Sequence, residues 1–123
     1  MYFLDTYAMI EYLRGNRKAE KIIENGDFCT SDYQLMELYY ISLREQGENR
    51  AEEYFEAFAI AKVSIPERTL KNAMKMRLEF QNKGKNISYV DAIGYAYSLE
   101  NGMEFVTGDA AFAGLGNVEN ISR

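Results

Sequence analysis

The chain has 123 residues, 47% of them hydrophobic and 27% charged, with a formal net charge of −5 at pH 7. That size and apolar content support a buried core without staples and exclude a disordered chain. It holds no histidine and one cysteine, Cys29, which excludes imidazole general bases, Ser-His-Asp triads, an intrachain disulfide and a zinc knuckle.

In chain order, Tyr2–Leu4 is expected as a short buried strand. Thr6 to about Arg14 follows as a helix with Tyr7, Met9, Ile10 and Leu13 facing inward. Gly15-Asn16 breaks it, and Lys18–Glu24 forms a second helix with Ile22 and Ile23 on its apolar side. Asn25-Gly26 is a turn signal, and "DFCTS" gives a brief strand. Ser31 and Gln34 have capping-box spacing and predict a helix over Asp32–Glu45, ended by Gly47. "RAEEYFEAFAIA" is another helix, with Ala51, Tyr54, Phe55 and Phe58 at helical spacing.

"KVSI" reads as a strand, and Pro66 opens a helix carrying Leu70, Ala73, Met74 and Leu78 on one face. "NKGKN" is a basic loop, Ser88 caps a helix to about Glu100, and Asn101-Gly102 turns into the strand "EFVT". A helical turn near Ala110–Phe112 and a last strand, "VENI", complete the pattern. Short apolar strands alternating with helices predict an α/β layer fold on a mostly parallel sheet, in one domain over 1–123. No apolar run approaches the about 18 residues of a membrane span, and no basic-then-apolar leader opens the chain. A cytoplasmic protein without a membrane part is the expectation.

Four carboxylates stand out because their surroundings carry no charge to neutralise them. Asp5 ends the first strand and is the only charge in the first ten residues; Glu37 is alone in "QLMELYYISL", Asp91 in "ISYVDAIGYAYSL" and Asp109 in "FVTGDAAFAGLGNV". Three of them have an ordinary structural role open to them. Asp5 suits a helix N-cap, Asp91 a capping box with Ser88, and Asp109 the turn after Thr107-Gly108. Glu37 has the weakest such role: mid-helix among apolar residues, where an unpaired carboxylate is costly, it either reaches solvent from a partly exposed face or meets a partner from elsewhere. Asp5 and Asp109 follow strands and Asp91 opens a helix, positions that meet at the strand C-terminal edge of an open parallel sheet. Acids converging there repel unless protonated or neutralised, and Mg²⁺ or Mn²⁺ held by carboxylates and water is the natural answer. Such a site suits phosphodiester hydrolysis, with Asp5, Asp91 and Asp109 as ligands and Glu37 as a ligand or water-positioning group. Thr107 would orient Asp109 or a water.

Together these segments resemble the PIN domain, above all the VapC-type toxin ribonucleases of toxin–antitoxin pairs and their archaeal relatives. "FLDTYAMIEYL" is similar to the family's opening strand, with its first acid followed by Ser or Thr. "MEL" matches its Glu, "SYVDAIGYAYSLENG" the segment of its third acid, and "FVTGDAAF" its Thr/Ser-x-Asp-x-x-Phe signature. The resemblance covers essentially the whole chain. It implies a three-layer α/β/α sandwich, Mg²⁺ or Mn²⁺ dependence, cleavage of single-stranded RNA, a homodimer and an antitoxin partner. Ala110 and Ala111 stand where many members carry another acidic or polar residue, which weakens a second metal site and leaves the first intact. The rival reading is a catalytically weak PIN-like module that binds RNA or a partner.

The acid excess argues against a surface-wide nucleic-acid mat and leaves local basic patches. Lys83 and Lys85 flank Gly84 before the Asp91 helix, Arg14, Arg17 and Lys18 follow the first helix, and Arg68, Lys71 and Lys75 share a later face. Lys83, Lys85 and Arg14 are the expected RNA contacts. Tyr39 and Tyr40, on a helix apolar nearly all round, point to a face buried against another subunit or an antitoxin.

Overall fold

Alternation along the two central strands divides the core into two layers. In a computed structural model that describes residues 1–122, the chain runs through β1 (Tyr2–Leu4), α1 (Thr6–Leu13), α2 (Arg17–Glu24), β2 (Phe28–Ser31), α3 (Asp32–Gln46) and α4 (Glu48–Ala59). It continues through β3 (Lys62–Val63), α5 (Glu67–Asn82), α6 (Tyr89–Glu100), β4 (Glu104–Thr107), a 3₁₀ turn (Ala110–Phe112) and β5 (Val118–Asn120). All strand pairs are parallel, in the order β3-β2-β1-β4-β5.

Successive strand side chains point to opposite faces. Leu4 and Val106 therefore meet α1 to α4 through Met9, Ile22, Leu35, Leu38 and Phe58. Phe3 and Phe105 meet the other layer through Ala73, Ile87, Ile93, Tyr95 and Phe112. The result is the expected three-layer α/β/α sandwich. The chain moves outward from β1 through β2 to β3, then returns to place β4 on the other flank of β1. The reversal of winding thus falls between β1 and β4, where side chains from both halves can share a crevice.

Several inward faces differ from the periodicity reading. Tyr7 and Leu13 are each 37% exposed, whereas Ala8 and Met9 are fully buried. The Tyr7 ring instead lies over Gly108, where an added Cβ would come within 2.1 Å of it. On α5, Met74 and Leu78 are exposed, and the buried face is centred on Thr69 and Ala73. That face packs on the layer of α6 through Ala73, Met76 and Phe80, and Thr69 donates to the Glu100 carboxylate. Strand β3 keeps only Lys62–Val63 of "KVSI", paired in register with Thr30 and Ser31 at the sheet edge. Tyr39 is engaged within the chain, edge-on to Phe55 and donating to Glu52 at 2.7 Å, while Tyr40 is 62% exposed.

Helix α6 lies close on the sheet because Gly94 has no side chain. A Cβ there would sit 2.8 Å from the rings of Phe3 and Phe105 and 2.9 Å from the Gln34 amide nitrogen. Gly94→Ala should destabilise the protein by about 1–3 kcal/mol through overpacking, outweighing the about 1 kcal/mol helix-propensity gain. Gly116→Ala, which meets nothing within 4 Å, should stay within about 0.5 kcal/mol of the parent. Urea unfolding of both variants checks this, and equal midpoints would refute the close-packing account.

Candidate functional site

The β1–β4 register pairs Leu4 with Val106, so Asp5 and Thr107 are the next residues along two adjacent strands. Neighbouring strands lie about 4.8 Å apart. Asp5 leaves the sheet and caps α1, its Oδ1 accepting from the Ala8 amide at 2.7 Å, and it is 2% exposed. Thr107, fully buried, donates its hydroxyl to the Asp5 carboxylate and accepts from the Asp109 amide at 3.1 Å. Asp109 in turn caps the 3₁₀ turn, accepting from the Ala111 amide at 2.9 Å.

The other two acids come from helices that begin at this same edge. Asp91 lies in the first turn of α6, its amide donating to the Ser88 hydroxyl at 3.0 Å. Glu37 lies in the second turn of α3, and its Oε1 accepts from the Thr6 hydroxyl at 2.7 Å. The capping role read for Asp5 and Asp109 is therefore real and coexists with their charge effect on one another; at α6 the cap is the Ser88 hydroxyl, and the Asp91 carboxylate does not close the box. Backbone amides donating to Asp5 and Asp109 offset part of their charge.

Their charges act on one another. Burial raises the Asp5 carboxyl well above the ordinary range, and the charges on Asp91 and Asp109 raise it further against the Thr107 and Ala8 bonds. Burial also raises Asp91, to about 6, with Glu37 and then Asp109 adding to the shift and Ser88 opposing it. Among the described residues, none of the four acids is paired with a lysine or arginine. All the donors are hard oxygens, the chemistry that Mg²⁺ and Mn²⁺ select. Among the described residues no three His, Cys, Asp or Glu side chains form a ready-made metal cluster. The donor set fits a hydrated cation that keeps several waters between itself and the protein, as Mg²⁺ does.

The basic residues are distributed differently. Lys83 and Lys85 are exposed on the α5–α6 loop, close in sequence to the start of α6, with the Lys85 ammonium 5.8 Å from the Phe80 ring centre. Arg14 lies beyond the far end of α1, about 13 Å along the axis from Asp5, in ion pairs with Glu11 at 3.7 Å and Glu45 at 3.4 Å. Two polar residues beneath the acids, Thr6 and Gln34, escaped the isolated-charge criterion because they carry no charge. Their signal was position, one following Asp5 and the other one helical turn before Glu37.

The PIN domain family model matches residues 2–117. The chain belongs to the PIN domain family. Solved structures with this fold include a toxin–antitoxin complex from Klebsiella pneumoniae, 21% identical with a TM-score of 0.76, covering 100% of this chain and 99% of that one. VapBC2 from Rickettsia felis, bound to a DNA fragment from its promoter, is 18% identical with a TM-score of 0.77, and 97% of each chain is covered. VapC20 from Mycobacterium tuberculosis, a Sarcin-Ricin loop cleaving toxin, is 19% identical with a TM-score of 0.75, covering 97% of this chain and 98% of that one. No curated protein sequence matches the chain. No helix among the described residues is long and apolar enough to cross a membrane.

Crowded acids leave a signature in stability. A folded-state pKa above the unfolded one means that the folded protein binds the proton more tightly, so stability falls as pH rises between the two values. For Asp91 the window runs from about 4, its unfolded value, to about 6. In chelator, Asp91→Asn should flatten the fall across that window and stabilise the protein at pH 7 by about 1–2 kcal/mol, the shift being discounted for partial solvation. Urea unfolding at pH 4 and pH 7 measures it, and an equal fall in parent and variant would contradict the crowding.

Proposed function

We propose that this PIN domain is a Mg²⁺- or Mn²⁺-dependent endoribonuclease that hydrolyses single-stranded RNA and acts as the toxin of a toxin–antitoxin pair. The observation that carries the reading is the mutual charge effect of Asp5, Asp91, Asp109 and Glu37 at the winding reversal, without a cationic partner among the described residues. Asp5, Asp91 and Asp109 would hold the cation. When bound, it supplies an activated water and charge stabilisation at the phosphorus. Thr107 holds the Asp5 carboxylate in place from below. Glu37, with Oε1 engaged by Thr6, offers Oε2 to orient the attacking water.

Lys83 and Lys85 stand beside the start of α6 and would take phosphates of the incoming strand, while Arg14 would meet only a longer one. An antitoxin and a second copy of the chain are the partners in this reading. It draws on the two toxin–antitoxin neighbours described above and on the exposed Met36, Tyr40 and Leu43 of α3. The second reading, a PIN module that binds RNA without cutting it, is favoured by the looseness of the acids as they stand.

Purified protein and an unstructured RNA oligomer separate the two. Cleavage should need added Mg²⁺ or Mn²⁺, stop with EDTA, and leave a 5′-phosphate and a 3′-hydroxyl, because water rather than the neighbouring 2′-hydroxyl attacks. Asp5→Asn should cut at least about 100-fold more slowly, the rate equivalent of several kcal/mol. Its RNA affinity should be equal or better, since a repulsive charge is gone. Products ending in a 2′,3′-cyclic phosphate would sink the mechanism, and binding without cutting in either metal would favour the second reading.

A further inference from the structure

Beneath the acids lies a polar side chain that the chemistry above does not use. Gln34, fully buried in α3, accepts at Oε1 from the Ser31 hydroxyl and donates from Nε2 to the Val90 carbonyl at 3.0 Å. Ser31 ends β2 on one side of it, and Val90 opens α6 on the other. The backbone of α6 rests on the amide, which occupies the place a Gly94 Cβ would need. Val90 immediately precedes Asp91, and Gln34 is one turn before Glu37.

Thr6 makes the matching connection from β1. It immediately follows Asp5 and is 5% exposed, and its one hydroxyl proton goes to Glu37 Oε1 at 2.7 Å. The Gln34 carbonyl, at 3.5 Å, is a marginal second acceptor. Packing alone does not call for these groups. A buried amide costs free energy unless its hydrogen bonds are made, and Met would fill much the same volume. What the amide adds is a fixed link between the starts of α3 and α6, and the Thr6 hydroxyl adds one between α1 and α3.

We propose that Gln34 and Thr6 are positioning residues: Gln34 sets the gap between Glu37 and Asp91, Thr6 the gap between Asp5 and Glu37, and together they set the affinity of the acid cluster for a divalent cation. The proposal rests on the metal-site reading above and adds to it residues that would not touch the cation. Supporting side chains of this kind change metal affinity by about 10–100-fold when removed. A role in folding alone would lower stability and leave affinity unchanged.

Mn²⁺ titration calorimetry, run well below the melting temperature, distinguishes these cases. Gln34→Met and Thr6→Val should each weaken Mn²⁺ binding about 10–100-fold, whereas Thr6→Ser, which keeps the donor, should stay within about threefold of the parent. Thr69→Val removes an equally buried hydroxyl bonded to Glu100 at the far end of α6. It should lower stability with no change in Mn²⁺ affinity. Thr6→Val replaces only a hydroxyl by a methyl and keeps the test open if Gln34→Met is too unstable to titrate. Parent-like affinity in either variant would remove that residue from the role while leaving the metal site standing, as would an equal weakening in Thr69→Val. A parent protein that binds no Mn²⁺ would overturn the metal-site reading and this proposal together.

Discussion

Like charges held together where water is scarce are the constraint around which the rest of this fold is arranged. Asp5 is almost fully buried, and the charges of Asp91 and Asp109 reach it; Asp91 also feels Glu37. A site of this kind opposes folding unless helix amides, hydroxyl donors, protons or a cation offset the repulsion. The first two are built into the chain, at Ala8, Ala111, Thr107, Ser88 and Thr6. They lessen the cost without neutralising it. In the proposed reading, the remaining imbalance is what would draw a small hard cation to the edge.

Placement of these groups follows from the order of the strands. Because β1 and β4 are neighbours in exact register, Asp5 and Thr107 emerge side by side, and the reversal of winding leaves the space above them uncovered by a crossover. Helix α6 can deliver Asp91 to that space because Gly94 lets it lie against Phe3, Phe105 and Gln34. The loop after β4 is held down by the Tyr7 ring over Gly108, which brings Asp109 back toward the same edge. The core packing and the acid geometry are therefore set by some of the same contacts.

Much of this was legible in the sequence for a physical reason. An isolated carboxylate inside an uncharged segment is conspicuous, because burying it without a partner is expensive. Strand-and-helix alternation likewise showed the layer fold, and Ser88 and Pro66 marked helix starts that the structure keeps within a residue. What the sequence hid were choices made by tertiary contacts. The phase of α5 follows Thr69, Ala73, Met76 and Phe80, with Thr69 bonded to Glu100 across the seam, so Met74 and Leu78 fall on the exposed side. Tyr7 has the spacing of a core residue, yet its ring lies over Gly108, far along the chain. Glu11 is 4% exposed and bonded to the Asn16 amide at 3.0 Å, a burial that nothing in its neighbourhood announced.

The central claim is that this carboxylate edge is where a divalent cation binds, and crystals grown with Mn²⁺ test it most directly through the metal's anomalous scattering. The account predicts a peak between Asp5, Asp91 and Asp109, with ordered waters completing the coordination and the peak absent in Asp91→Asn crystals. A peak elsewhere, or none at a Mn²⁺ concentration that saturates the protein in solution, would contradict it.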